Sequence, residues 1–244
     1  MKKITIGELH TITGNEHYAD RKRAILDRLY GIGARHGMNR PEVAVQILAQ
    51  VLHESGAFRH VREVWGPTAA QLGYEGRKDL GNVQKGDGKR YLGRDLIQCT
   101  GRANYAALTK WANCGADFEA DPARLEAPRF IGLAVIWYFA TRSNLLKYCL
   151  AGDIEMVTRR VNGGLNGYDD RLRWYDRTAL VVLGFAPDNI EGFQKSAGLP
   201  ADGISGPKTR AALHEALKTV GEPKSGLADI IAKIIAAIFG KEKP

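Results

Sequence analysis

Two glutamates, Glu54 and Glu63, stand nine positions apart in a stretch where His53-Glu54-Ser55-Gly56 leads to Arg62-Glu63 and on to a loop dense in amide, hydroxyl and aromatic side chains. Such a pair suits the cleavage of a glycosidic bond. That reaction needs one protonated carboxyl to pass a proton to the leaving oxygen, and one ionised carboxylate to activate water or stabilise the developing cation. The two groups therefore need different surroundings. Glu54 follows Ile47 and Val51 along an apolar helical stripe, which makes it the candidate for a desolvated carboxyl that holds its proton. Glu63, beside Arg62 in a glycine-rich loop, is the candidate for the ionised partner.

The helix that must carry Glu54 has Asn39 as a candidate cap and Pro41 in its first turn, with Val43, Ile47, Leu48 and Val51 as its apolar stripe to about His53. From Gly56 to Gly101 the helical period disappears and glycine is frequent, which reads as a long functional loop lobe with a short β-hairpin around Gly86-Asp87-Gly88. Helical patterns flank it at 18–35, 103–112, 128–141, 153–161 and 169–184. The 128–141 segment is apolar nearly all round and is expected to be the central core helix. The fold class expected is mainly α, with a loop-rich, partly β lobe. Ala186-Pro187-Asp188 marks a boundary, which divides the chain into a catalytic domain at 1–186, a small helical module at 187–220, and a linker with an amphipathic helix at 221–244.

Composition narrows the partners. With 244 residues and 44% hydrophobic side chains the chain can bury a core, and a net charge of +8 favours nucleic acid, a membrane surface or an anionic wall polymer. The basic residues are scattered and no recognition motif accompanies them, so nucleic acid is not expected. Cys99, Cys114 and Cys149 form no CxxC pair and read as free thiols of a reducing compartment. No metal or cofactor is expected: His53-Glu54 begins an HExxH pattern, but Ala57 stands where the second histidine belongs. His53 is expected to pack or hydrogen-bond, and Trp65, Tyr74, Tyr91 and Tyr105 either fill the core or stack on sugar rings. Met1-Lys2-Lys3 is followed by no apolar region of signal-peptide length, so the expectation is a protein held in the cytoplasm until another agent releases it to the wall.

The ordered set His53-Glu54-Ser55-Gly56, Arg62-Glu63, Tyr91-x-Gly93-Arg94-x-x-Ile97-Gln98-x-Thr100-Gly101-x-x-Asn104-Tyr105 and Val161-Asn162-Gly163-Gly164 resembles the chitinase-like glycoside hydrolases of family 19, and among them the compact bacteriophage endolysins. The resemblance covers roughly Ile4 to Gly184. It implies a lysozyme-like, two-lobed, mostly helical fold with a substrate groove between the lobes. It also implies Glu54 as general acid and Glu63 as the base that activates water in an inverting reaction, with Thr100 helping to hold that water. Gln98, Asn104, Tyr105, Asn162, Arg171 and Arg94 are implied as substrate-binding positions. The chain departs from the family's frequent Gly-Arg-Gly by having Asp95 after Gly93-Arg94.

A second resemblance lies in Phe193-Gln194 and Gly198-Leu199-Pro200-x-Asp202-Gly203-Ile204-x-Gly206-Pro207-x-Thr209-Arg210-Ala211-Ala212-Leu213, which is similar to the closing half of the three-helix peptidoglycan-binding domain. It turns the expected substrate from chitin toward peptidoglycan glycan strands. The expected protein is a monomeric endolysin, released by a separate holin-like pore, whose helix at 227–239 either packs on the protein or contacts membrane. The rival readings are a chitinase, a lytic transglycosylase, and an inactive wall-binding or membrane-permeabilising protein.

Overall fold

A computed structural model describes residues 2–142 and 144–220; the amphipathic helix expected at 227–239 lies outside them. In chain order the helices are α1 (Ile6–Thr13), α2 (Ala19–Tyr30), α3 (Pro41–Glu54), α4 (Ala69–Leu72), α5 (Asp87–Arg90), α6 (Arg102–Ala112), α7 (Leu133–Thr141), α8 (Leu145–Ala151), α9 (Ile154–Asn162), α10 (Tyr168–Val182), α11 (Ile190–Ser196) and α12 (Pro207–Thr219). The mainly α expectation holds. Among the described residues the only extended pairing is two isolated bridges, Arg62 with Arg94 and Arg94 with Cys99. The described chain divides into two compact units, one of residues 2–17, 33–50 and 144–220, the other of residues 18–32 and 51–142.

In the first unit α10 is the organising helix, with Tyr175, Thr178, Ala179, Leu180 and Val182 buried. α1 packs on it from one side, started by a capping box between Thr5 and Glu8, and Arg177 reaches back to the Ile12 carbonyl at 2.6 Å. α11 and α12 pack on α10 as well, so residues 187–220 are built into this unit. Arg210 of α12 pairs with the largely buried Asp176 of α10 at 3.1 Å. Gln194 organises the turn between α11 and α12: its amide nitrogen donates to Asp202, the Ile204 carbonyl and Thr209, and its oxygen accepts from the Gly203 amide.

Helix α3 gives its first ten residues to the first unit and its last four to the second. The sequence implies one buried stripe, but every residue from Pro41 to Leu52 is buried. Each fully buried Val, Leu or Ile there contributes about 1.5–3 kcal/mol of burial free energy. Helix α3 therefore shares the core role expected of 128–141. That segment itself is a 3-10 turn, Pro128–Phe130, followed by the mostly buried α7.

In the second unit α2 packs on α7 and on the Pro128–Phe130 turn, and Arg28 of α2 donates to the Ile131 and Arg129 carbonyls. Tyr91, Tyr105, Leu108, Phe118, Leu125, Phe130, Leu133 and Trp137 form one buried cluster. The hairpin expected at Gly86-Asp87-Gly88 is absent. Gly86 has φ 92° and starts the helical turn α5, whose Asp87 carboxylate accepts from the Gln84 amide and from Arg102. Glu75 binds the Gly86 and Gly88 amides from the other side. Side chains satisfy the backbone there, so no partner strand is needed.

Candidate active site

Glu54 is the last residue of α3 and is half-buried. The chain leaves it through three consecutive left-handed residues, Gly56, Ala57 and Phe58, with φ of 57°, 56° and 72°. Strain of this kind persists only where the surroundings hold it. Here Ser55 Oγ donates to the Val51 carbonyl at 2.6 Å and accepts from the Phe58 amide at 2.8 Å. The Phe58 side chain is buried, and Arg21 clamps the Phe58 and Arg59 carbonyls at 2.7 Å each. The end of α3 is thereby fixed. On α7, Tyr138 has its hydroxyl pKa raised by burial and, less strongly, by the charge of Glu54, while Arg142 opposes the shift.

Glu63 is half-buried and held on both oxygens. Oε1 accepts from Gln71 Nε2 at 2.9 Å and from the Tyr74 hydroxyl at 3.3 Å; Oε2 accepts from the Gly93 amide at 3.0 Å. The Glu63 amide donates in turn to the Gly93 carbonyl at 2.8 Å. Gln71 is itself fixed by a capping box with Thr68 and by a second bond from Nε2 to the Val64 carbonyl. Burial, then the Glu63 charge and hydrogen bond, raise the Tyr74 pKa, so the hydroxyl stays a donor to the carboxylate. A carboxylate offers about four lone-pair sites, and three are used, which leaves room for one water.

Gly93 joins this carboxylate to the next group. A Cβ there would stand 2.7 Å from Gln98 Oε1 and 3.2 Å from Thr100 Oγ1, so both side chains lie against the glycine. Gln98 is left-handed at φ 56° and donates from Nε2 to the Asp95 carbonyl, and the Thr100 hydroxyl donates to the Gln98 carbonyl at 2.9 Å. Asn104 Nδ2 donates to the Thr100 carbonyl at 2.7 Å, and Asn104 Oδ1 accepts from Arg142, whose guanidinium lies over the Trp137 ring. Glu63, Gln98, Thr100 and Asn104 thus form one connected set in the second unit. Asn104, Arg142, Trp111, Trp137, Lys110 and Asp79 border a cavity of about 710 Å³.

Three of the expected substrate-binding residues are buried. The Tyr105 side chain is fully buried, donates to the Leu92 carbonyl at 2.8 Å and accepts from Arg94, and burial drives its pKa far up. Arg94 is buried too, bound to Glu126 at 2.7 Å and to the Arg90 and Leu92 carbonyls. Both act beneath the loop and not on its surface. Arg171, in the first unit, is fully buried and donates to Gln50 Oε1, while Gln50 Nε2 donates to Thr158 at 3.2 Å. Asn162, also in the first unit, is exposed at the end of α9, where the left-handed Gly163 stops the helix.

Sequence reasoning missed Gln71 as a support of Glu63. Its signal was present as Thr68-x-x-Gln71, a capping-box pattern that fixes the side chain before it reaches the carboxylate. Among the described residues no group of three or more His, Cys, Asp or Glu is placed to hold a metal ion, and no helix is long and apolar enough to cross a membrane. The three cysteines are free thiols; Cys99 and Cys149 are buried, and burial lifts Cys99 to about 12.

No family model matches the sequence. A Haemophilus influenzae protein described as a glycosyl hydrolase family 19 domain-containing protein is 42% identical over 111 residues, 45% of this chain. The matched segment spans 50% of that relative's length. Chitinase C from Streptomyces griseus HUT6037 superposes with a TM-score of 0.60 at 17% identity, over 75% of this chain and 78% of the chitinase. A bacterial family 19 chitinase superposes at 0.57 with 20% identity, over 76% and 97%. The class IV chitinase of Zea mays superposes at 0.54 with 17% identity, over 73% and 90%. At these identities the structures share the fold. The 42% identical segment and the shared fold make the chain similar to the chitinase-like glycosyl hydrolases of family 19.

Proposed function

We propose that the chain is a glycoside hydrolase that cleaves the β-1,4 glycan backbone of bacterial peptidoglycan with Glu54 as acid and Glu63 as base. The observation that carries this reading is the holding of Glu63. Three donors on its two oxygens keep it an acceptor, with a lone pair left for a water, and Gly93 sets Gln98 and Thr100 beside it. The remaining lone pairs of the Thr100 hydroxyl help orient that water, and Gln98 and Asn104 receive the sugar's amide and hydroxyl groups. Glu54, on the fixed end of α3, protonates the leaving oxygen, and attack by a water activated at Glu63 gives inversion.

Peptidoglycan is favoured over chitin by two observations. The net charge of +8 suits an anionic polymer. Residues 187–220, similar to half of a peptidoglycan-binding domain, carry an ordered Gln194–Asp202–Thr209 turn. The biological role that fits is a bacteriophage endolysin, monomeric and released to the wall by a separate pore. Incubation with purified peptidoglycan and with chitin oligomers, followed by mass analysis, tests the reading. Reducing-end muropeptides support it; cleavage of chitin alone favours the chitinase reading, and 1,6-anhydro products identify a lytic transglycosylase.

A further inference from the structure

Asp95 is fully buried, and both of its carboxylate oxygens are engaged by backbone. Oδ1 accepts from the Leu96 amide at 2.8 Å and from the Gly132 amide at 2.7 Å, and Oδ2 accepts from the Ala134 amide at 2.8 Å. Gly132 is the N-cap position of α7 and provides no side-chain cap. Asp95, from a distant loop, supplies the acceptor that a capping residue would otherwise provide.

The backbone of Asp95 reaches the other way. Its amide donates to the Val61 carbonyl at 2.9 Å, two residues before Glu63. Its carbonyl accepts from Gln98 twice, from the amide at 3.2 Å and from Nε2 at 3.1 Å. One residue therefore joins the start of α7, the helix that carries Tyr138 within the field of Glu54, to the Glu63 segment and to the Gln98–Thr100 turn. It does so at φ 62°, a conformation that aspartate tolerates better than most side chains.

We propose that Asp95 is a positioning residue for catalysis, holding the Glu63 segment and the Gln98–Thr100 turn in register with α7. The proposal rests on the two-carboxylate reading above. Its carboxylate is sealed from solvent, so it acts through the groups that it places. A base and a water-holding hydroxyl displaced by a fraction of an ångström weaken the transition state more than the bound ground state, so the loss falls on kcat and spares KM.

The test uses Asp95→Asn and Asp95→Gly, since both replacements adopt left-handed backbone without strain. Asparagine turns an amide NH₂ toward donors; glycine removes the acceptors altogether. With solubilised peptidoglycan strands, both variants are expected to lose about tenfold or more in kcat with KM changed less than about twofold. Amide hydrogen exchange gives a readout that does not depend on activity. The Gly93 amide, bound to Glu63, is expected to exchange about tenfold faster or more, with Val51 and Leu52 in α3 unchanged. Unchanged kcat with unchanged Gly93 protection overturns the proposal, as does faster exchange spread evenly through α3. If the wild type cleaves no glycan, the functional reading fails, and exchange at Gly93 alone decides the positioning role.

Discussion

Glu63 and Gly93 hold each other twice: the Gly93 amide donates to Glu63 Oε2 at 3.0 Å, and the Glu63 amide donates to the Gly93 carbonyl at 2.8 Å. The pairing ties a carboxylate to a residue that has no side chain, and the missing side chain is what lets Gln98 and Thr100 approach. Gly93→Ala would place a Cβ 2.7 Å from Gln98 Oε1, the movable end of a flexible side chain. The fold should survive while Gln98 turns away. We expect kcat/KM on peptidoglycan to fall about 10- to 100-fold with only a small drop in Tm. An unchanged kcat/KM would show that Gln98 has no part in the reaction.

Gln71 is the stronger of the two side-chain donors to Glu63, since its bond is 2.9 Å against 3.3 Å for Tyr74. Gln71→Glu keeps the size and the capping acceptor but sets a second carboxylate against Glu63 Oε1. It should reduce kcat about 100-fold at pH 7, against roughly 3- to 10-fold for Tyr74→Phe. Steady-state assays of the two variants side by side check the order. If Tyr74→Phe is the more damaging, the assignment of the principal support is reversed.

Burial lifts the Asp95 carboxyl from 3.8 to about 6, against the opposing pull of the Gly132, Leu96 and Ala134 amides. The folded protein therefore holds this proton more tightly than the unfolded chain. The resulting stabilisation is complete below about pH 4 and is lost as pH rises through about 6. Compared with Asp95→Asn, the wild type should lose up to about 3 kcal/mol more between pH 4 and pH 7. Urea unfolding of both proteins across that range measures the difference, and parallel stability curves would contradict the shift.

Arg210 of α12 and Asp176 of α10 test how firmly residues 187–220 are joined to the helices before them. Burial raises the Asp176 pKa, and the Arg210 charge and hydrogen bond oppose that. Arg210→Ala removes the charged partner of a mostly buried carboxylate and should cost roughly 1–3 kcal/mol, between the values for exposed and buried pairs. Unfolding should remain a single transition. Loss of the 187–220 segment in an earlier, separate transition would mean that it is an independent domain.

Helix positions were legible in the sequence because apolar periodicity and caps are local: α3 ends at Glu54, α9 ends before Gly163, and α10 spans nearly the expected range. The placement of Glu63 in a loop was legible for the same reason. The depth of Tyr105, Arg94 and Arg171 was not, because polar side chains of these types serve equally in a groove or under it. Their partners, Leu92, Glu126 and Gln50, are set by tertiary packing. The expected hairpin failed where Glu75 and Arg102, both distant in sequence from the turn, satisfied its backbone and its aspartate. Asp95 read only as a departure from Gly-Arg-Gly, and the location of the α7 N-terminus makes it a buried cap.

The most direct measurement is glycan cleavage by the wild type, Glu54→Gln and Glu63→Gln on purified peptidoglycan, with products analysed by mass. Each substitution keeps size and hydrogen-bonding shape while removing the proposed acid or the proposed base. Losses of about 10²- to 10⁴-fold in kcat are expected for both, with reducing-end disaccharide products from the wild type. Glu54→Gln cleaving as fast as the wild type would contradict the account, because no acid would then be needed at the end of α3.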